Sequence, residues 1–369
     1  MQDTNKGQDY EPQDFAEFFD FEERAKVTPE RKTIYIVPCG LDARVLEPEV
    51  HGVPLPPVAA VAHFLTAFTG LPHKVLPALP IVPWPEAKKK KGSGGGEAPP
   101  KFLAVRTSKD ALVRVRTIKP EGLPLALHCH DVLDALLEEL PGDAFAIMGL
   151  TAYDLHEDGQ CVGGRAFGGS RIAVVSFARY HPHFLDWAPD WPALTGHKGS
   201  ALREAARAAS AAVPPPKSPQ ALSTWWLYRT GTTAMHELGH CLGLDHCTYY
   251  SCFMGECEGQ APYACPVCLR KLLCAVSPTS ECSDPAPAVR HYSALQKFCL
   301  AQKQSPSWAA FGAWCGGRLE ALGGEGATAS GSSAGAATSA SSSASASASG
   351  GGGGGGMGGG GGAWELPPP

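Results

Sequence analysis

No stretch of this 369-residue chain approaches the roughly 18 consecutive apolar residues that a membrane-spanning helix needs, so no membrane partner is expected. The beginning, "MQDTNKGQDYEPQDFAEFFDFEE", is polar and acidic and lacks the apolar core of an export signal. A soluble protein of the cytoplasm or nucleus is the expectation. Positive charge is also short: 31 Lys and Arg against 36 Asp and Glu leave a formal net charge of -5, so nothing favours a general polyanion-binding surface and no nucleic acid partner is expected. The one dense basic run, Lys88 to Lys91, lies beside "GSGGGEAPP" and reads as a solvated loop within a flexible insertion over 88–100. No solenoid-type repeat is present. Beyond about residue 321 large apolar side chains nearly vanish, and the Gly/Ala/Ser composition over 321–369 predicts a disordered tail that contributes no core.

Cysteine, in contrast, is plentiful. Thirteen cysteines would suggest disulfides in a secreted chain, but in a reducing compartment their clustering beside histidines favours metal ligation. The remaining organisation is a polar N-terminal extension over 1–30 and one domain over 31–320, expected as a monomer.

Short apolar runs bounded by turn residues, "TIYIVP" (33–38), "DAFAIMGL" (143–150) and "SRIAVVSFARY" (170–180), predict buried strands. "FLAVRT" and "ALVRVRT" predict a further strand or hairpin. "VAAVAHFLTAFTG" and "DVLDALLEELPG" carry apolar residues at helical spacing, the second closed by a Pro-Gly stop. Strands alternating with helices indicate an α/β fold. "LREAARAASAA" predicts another helix, and "STWWLYRTGTTAMHELGHCLG" predicts a helix from an N-cap at Ser223 to Gly243.

That last helix carries the chemistry. Residues four apart share a helix face, so His236 and His240 can offer nitrogens to one ion. Glu237 then stands beside the metal, where a carboxylate can orient a water and accept its proton without being a ligand. Gly243 can adopt a left-handed conformation that ends the helix, so that His246 reaches the metal from a separate segment. Three protein ligands leave one position for water, as in a catalytic zinc site. Cys247, Cys252, Cys265 and Cys268, spaced C-x4-C and then C-x2-C, can close a second, structural zinc. Two zinc ions are therefore expected, and the second would clamp the chain just beyond His246.

The pattern H-E-x-x-H-x-x-G-x-x-H, followed by C-x4-C-x-M and a later C-x2-C, resembles the archaemetzincins, a branch of the metzincin metallopeptidases with a second, cysteine-bound zinc. The match covers His236, Glu237, His240, Gly243, His246, Cys247, Cys252, Met254, Cys265 and Cys268, and is firm over 227–272. The resemblance implies a single metzincin-like catalytic domain in which a twisted mixed sheet, a backing helix and the active-site helix surround the metal. It implies that Met254 is the methionine of the turn beneath the site, that the "SRIAVVSFARY" strand lines the cleft, and that peptides are the substrates. One departure is the loop of ten residues between Met254 and Cys265, shorter than the family pattern, within which Cys257 is a competing ligand.

Lesser candidates remain. "HCH" at His128 to His130 could bind a metal, but without an assigned partner cluster it reads as a polar helix start. Cys241 reads as a small packing residue and Trp225 and Trp226 as core. Cys274, Cys282, Cys299 and Cys315 show no ligand pattern. Two functions compete: a zinc metallopeptidase with Glu237 as general base, and a catalytically weak or inactive two-zinc peptide-binding module. Glu237 favours the first, because a purely structural protein has no use for it.

Overall fold

The structure, a computed structural model, describes residues 12–41, 52–85, 99–121, 123–182, 216–250, 252–255, 260–277, 285–302 and 305–323. The expected "LREAARAASAA" helix, the Lys88 to Lys91 run, Cys257, Cys282 and the low-complexity tail from 324 onward lie outside the described residues.

The elements run α1 (Phe15–Asp20), β1 (Thr33–Cys39), α2 (Val58–Thr69), β2 (His73–Val75), β3 (Ile81–Pro83), β4 (Phe102–Arg106), β5 (Leu112–Ile118), β6 (Ala126–His128) and α3 (Cys129–Leu137). They continue with β7 (Ala144–Thr151), β8 (Asp154–Glu157), β9 (Gln160–Val162), β10 (Gly164–Ala166), β11 (Ile172–Ser176), a 3-10 turn (Ala178–Tyr180), α4 (Pro219–Cys241), α5 (Pro266–Val276), α6 (Ala286–Ala301) and α7 (Pro306–Ala321). The α/β class is as expected, and the strands divide between two mixed sheets. One has the order β10-β11-β7-β1-β2, the other β3-β4-β5-β6-β8-β9.

In the first sheet β2, β1, β7 and β11 are parallel and β10 runs antiparallel on β11. Helices cover a parallel sheet on both faces, so its strands are buried on both sides and read as continuous apolar runs. All eight residues of β7 are buried. The alternation of side chains then divides β1 between two cores: Ile34 and Ile36 face the core built with α2, α4, α5, α6 and α7, whereas Tyr35, Val37 and Cys39 face the core built with α3 and the second sheet. The expected hairpin is β4 and β5, antiparallel from Phe102↔Arg116 to Arg106↔Leu112.

The long helix α4 begins earlier than its sequence suggests. Ser218, not Ser223, is the N-cap: its side chain accepts from the Ala221 N–H at 3.1 Å, and Pro219 takes the first helical turn, where a missing N–H costs nothing. Ser223 is already buried inside the helix. From Ser223 to Gly239 every residue of α4 is buried, although few are aliphatic. Several of the polar side chains are hydrogen-bonded: Thr224 and Thr232 donate back to the carbonyls of Gln220 and Tyr228, and Trp226 Nε1 donates to Phe177 O at 2.8 Å. Trp225 and Trp226 are core, as expected. Gly231 allows α2 to approach closely, because a methyl group there would sit 3.1 Å from the ring of Phe64.

Phe64 is fully buried and also meets the rings of Phe68, Phe298 and Trp308. Phe64→Ala is expected to destabilise the fold by about 3–5 kcal/mol, the usual scale for emptying a buried aromatic site. Denaturant unfolding of the variant beside the parent chain measures this.

Candidate metal centre

His236 and His240 project from the last turns of α4, with their Nε2 atoms 3.1 Å apart. The other nitrogen of each ring is engaged: His236 Nδ1 lies 2.8 Å from Phe253 O, and His240 Nδ1 lies 2.8 Å from Leu244 O. A carbonyl oxygen only accepts, so each Nδ1 carries the proton and each Nε2 presents a lone pair toward the other ring. Two lone pairs held this close suit a shared cation: a regular tetrahedral zinc with nitrogen ligands would separate them by about 3.3 Å. Burial holds both histidines in the neutral form that ligation requires, pulling His240 down to about 4 and His236 well below the usual histidine range, with the neighbouring histidines acting in the same direction.

The third histidine arrives as expected. Gly243 has φ +88°, its N–H donates to His240 O at 3.0 Å, and the Leu244 N–H donates to Gly239 O at 3.0 Å. This pair of bonds is a Schellman ending, which satisfies the last carbonyls of α4 and reverses the chain. His246 then stacks on His236 with centroids 5.2 Å apart and meets His240 edge-on at 4.9 Å. One ligand atom from each of the three lies within 4.8 Å of the others. The three histidines named from spacing are thus together, and they fit a metal.

Glu237 points elsewhere, toward β10. A methyl group on Gly164 would come within 2.8 Å of its carboxylate, so only glycine leaves room for it on that strand. Burial pushes the Glu237 carboxyl up to about 8, against the pull of the Arg165 guanidinium and the Ala166 N–H. A divalent cation alongside would favour the ionised form.

The strand beside this carboxylate corrects the expectation for the cleft wall. "SRIAVVSFARY" forms β11, which pairs with β7 on one side and β10 on the other, so its backbone is already used. Among the described residues the edge of the sheet beside β11 is β10, within the glycine-rich segment that preceded the expected strand, and β2 forms the opposite edge. Three residues between two glycine clusters carry no alternation, which is why the sequence hid it.

The four named cysteines also converge. Cys247 Sγ lies 3.7 Å from Cys265 Sγ, and Cys252 Sγ lies 3.7 Å from Cys268 Sγ. A tetrahedral zinc with sulfur ligands has edges of about 3.8 Å, so the spacing fits an ion at the centre. Cys265 is the N-cap of α5 and accepts from the Cys268 N–H at 3.4 Å, a position that favours a thiolate. Contacts with the other thiols, that with Cys252 first, pull the Cys247 thiol far down. Cys241, buried in α4 and pushed up by desolvation, packs as an apolar residue.

Several supports carry no sequence signal of their own. Cys247 N donates to Met254 O at 2.8 Å, next to the Phe253 carbonyl that orients His236. Gly239 lies over Met254 Sδ and the Phe253 ring, so a side chain there would overlap both. The segment expected as a polar extension is tied into the site: Gln13 Nε2 donates to Gly243 O at 3.1 Å, its Oε1 accepts from Asp245 N at 3.2 Å, and buried Lys271 on α5 donates to the same Oε1 at 2.9 Å. Asp245 and Gly243 frame the turn that delivers His246.

No family model matches the chain. Among known proteins, Archaemetzincin-2 of Pongo abelii is 27% identical over 276 residues, which covers 72% of this chain and 65% of that protein. Archaemetzincin-2 of Homo sapiens is 27% identical over 278 residues with the same coverage. Archaemetzincin-1 of Homo sapiens is 34% identical over 192 residues, 46% of this chain and 36% of that protein. The chain therefore spans about two thirds or less of the length of these relatives. Among solved structures, an archaemetzincin from Methanopyrus kandleri aligns with 67% of this chain and 96% of its own at 20% identity, with a TM-score of 0.34, too low to rest the fold on. The sequence relatives to which this chain is similar are archaemetzincins.

Because Gly239 sits against Met254 and Phe253, Gly239→Ala forces both away from the histidines. The expected outcome is a loss of about 1–3 kcal/mol, the scale of overpacking a filled site. Metal content is expected to fall with it, read by thermal unfolding and elemental analysis together.

Proposed function

We propose that this relative of the archaemetzincins is a zinc metallopeptidase that cleaves peptide bonds, holding one zinc at His236, His240 and His246 and a second at Cys247, Cys252, Cys265 and Cys268. The observation that carries the reading is the pair of Nε2 lone pairs 3.1 Å apart, each fixed by a backbone carbonyl at the opposite nitrogen, with a buried carboxylate one residue along the same helix. Zinc bound there would acidify a water and polarise a carbonyl.

The chain's own residues do the rest. Glu237 takes the water proton on its carboxylate and returns it to the departing amine, so that one group serves as base and then as acid. The open edge of β10 offers backbone N–H and C=O groups to an extended peptide, which would lie beside Gly164 and so beside Glu237. The cysteine site is structural, with four ligands and no open position. It steadies His246 through Cys247 and His236 through the Phe253–Met254 segment. The competing reading, a two-zinc module that binds peptides without cleaving them, predicts no role for a proton acceptor at position 237.

Glu237→Gln is nearly isosteric and removes no ligand. It is expected to keep both ions and the fold while hydrolysis falls about 100-fold or more, the scale of losing a positioned base. His240→Ala is expected to lose the histidine-bound ion along with activity. Cleavage of a mixed peptide library, stopped by a chelator and restored by zinc, together with metal analysis, measures both. A Glu237→Gln protein that cleaves as well as the parent would refute the assignment.

Cys268→Ser is expected to lower the melting temperature and to reduce turnover, although its sulfur does not touch the histidine site, because the bound ion contributes folding free energy. Calorimetry with and without added zinc reads the effect.

A further inference from the structure

The "HCH" stretch stands at the junction of β6 and α3, with His128 as N-cap and Cys129 and His130 as the first two helical residues. Its reading as a polar helix start accounts for His128, which meets Arg116 Nη2 at 3.0 Å and Asp131 Oδ1 at 3.5 Å. It does not account for the other two. The fold brings Glu157, at the end of β8, against them, so that Cys129, His130 and Glu157 each offer a ligand atom within 4.8 Å of the others.

His130 Nε2 and Glu157 Oε1 are 3.0 Å apart, yet Nε2 is buried and makes no hydrogen bond of acceptable geometry. An imidazole nitrogen and a carboxylate oxygen that approach this closely without aligning for a hydrogen bond can both direct lone pairs at a common point, where a cation would be held between them. A tetrahedral zinc with nitrogen and oxygen ligands would separate them by about 3.3 Å, close to what is seen. The same signature, lone-pair atoms in contact at tetrahedral edge length, marks the three-histidine and four-cysteine clusters.

We infer that Cys129, His130 and Glu157 form a third metal site, for zinc or another borderline divalent ion, completed by water. The donor set of one sulfur, one nitrogen and one oxygen suits such ions and excludes magnesium and calcium, which take oxygen ligands. Binding replaces the Cys129 S–H bond with a sulfur–metal bond and releases the proton to water; no oxidation is involved. Glu157 Oε1 also accepts from Arg165 Nη2 at 3.0 Å. Arg165 follows Gly164 on β10, and alternation places its side chain on the strand face opposite Glu237. The ring of Phe167, just past β10, meets His130 at 5.4 Å. An ion here therefore braces the edge strand from behind, through residues separate from both other clusters.

The test compares metal content in the full chain, saturated with zinc and freed of excess, for the parent, Cys129→Ser and His130→Ala. Each variant is expected to hold one equivalent fewer than the parent, whatever the occupancy of the other two sites. Failure of the two-zinc reading would change all three proteins equally, so the outcomes are distinguishable. Substitution with cobalt is expected to give a thiolate charge-transfer band that weakens in Cys129→Ser by the share of one site. Should either variant fail to fold, crystals of the zinc-loaded parent answer the question through anomalous scattering at the zinc edge, with a peak expected between the three side chains. Equal metal content in parent and variants, or no anomalous peak there, would overturn the site and leave a His130–Glu157–Arg165 ion network.

Discussion

Two successive carbonyls, those of Phe253 and Met254, join everything that the site requires. The first accepts from His236 Nδ1, and the second accepts from Cys247 N. The Phe253 N–H in turn donates to Tyr263 O at 2.9 Å, close to the N-terminus of α5 where Cys265 and Cys268 stand. A displacement of this short segment would turn the His236 ring, free the chain after His246 and separate the sulfurs. Orientation by a backbone carbonyl is the support that sets both the tautomer and the direction of a ligating imidazole. Gly239 permits the arrangement from the opposite side, because only a bare backbone leaves space for Met254 beneath α4.

Burial explains why so much polarity is tolerated there. His236 and Glu237 are nearly inaccessible, and desolvation drives the histidine toward its neutral form and the carboxyl toward its acid form. A metal held as proposed would reconcile such groups with the interior, since it would take the lone pairs and supply the charge that a buried carboxylate lacks. The core around α4 is therefore organised less by aliphatic packing than by close contacts at glycines and by side chains bonded back to the helix, as at Gly231, Thr224 and Thr232.

Segments that are weak in pattern contribute strongly to this arrangement. The acidic beginning of the chain reads as a polar extension, yet Phe18 is fully buried and Gln13 fastens the turn at Gly243 to Lys271 on α5. Its capping box, Asp14 with Glu17, starts α1 locally. Nothing local reveals that Gln13 reaches the turn at Gly243 and Lys271 on α5, because these partners lie more than 200 residues away.

The sequence alone determined which side chains come together as candidate ligands, since fixed offsets on a helix, a glycine able to reverse the chain and a paired-cysteine spacing constrain local geometry. His236, His240, His246 and the four cysteines converge as those offsets require. It also determined that buried strands alternate with helices, because residues covered on both faces must be apolar along their length. Only the tertiary structure decided which strand forms the edge, where α4 begins, how the strands divide between two sheets and what stands opposite Cys129 and His130. Each of these depends on pairing between segments distant in the chain, and a run of three residues such as β10, or a single glutamate such as Glu157, has no periodicity from which its partner could be read.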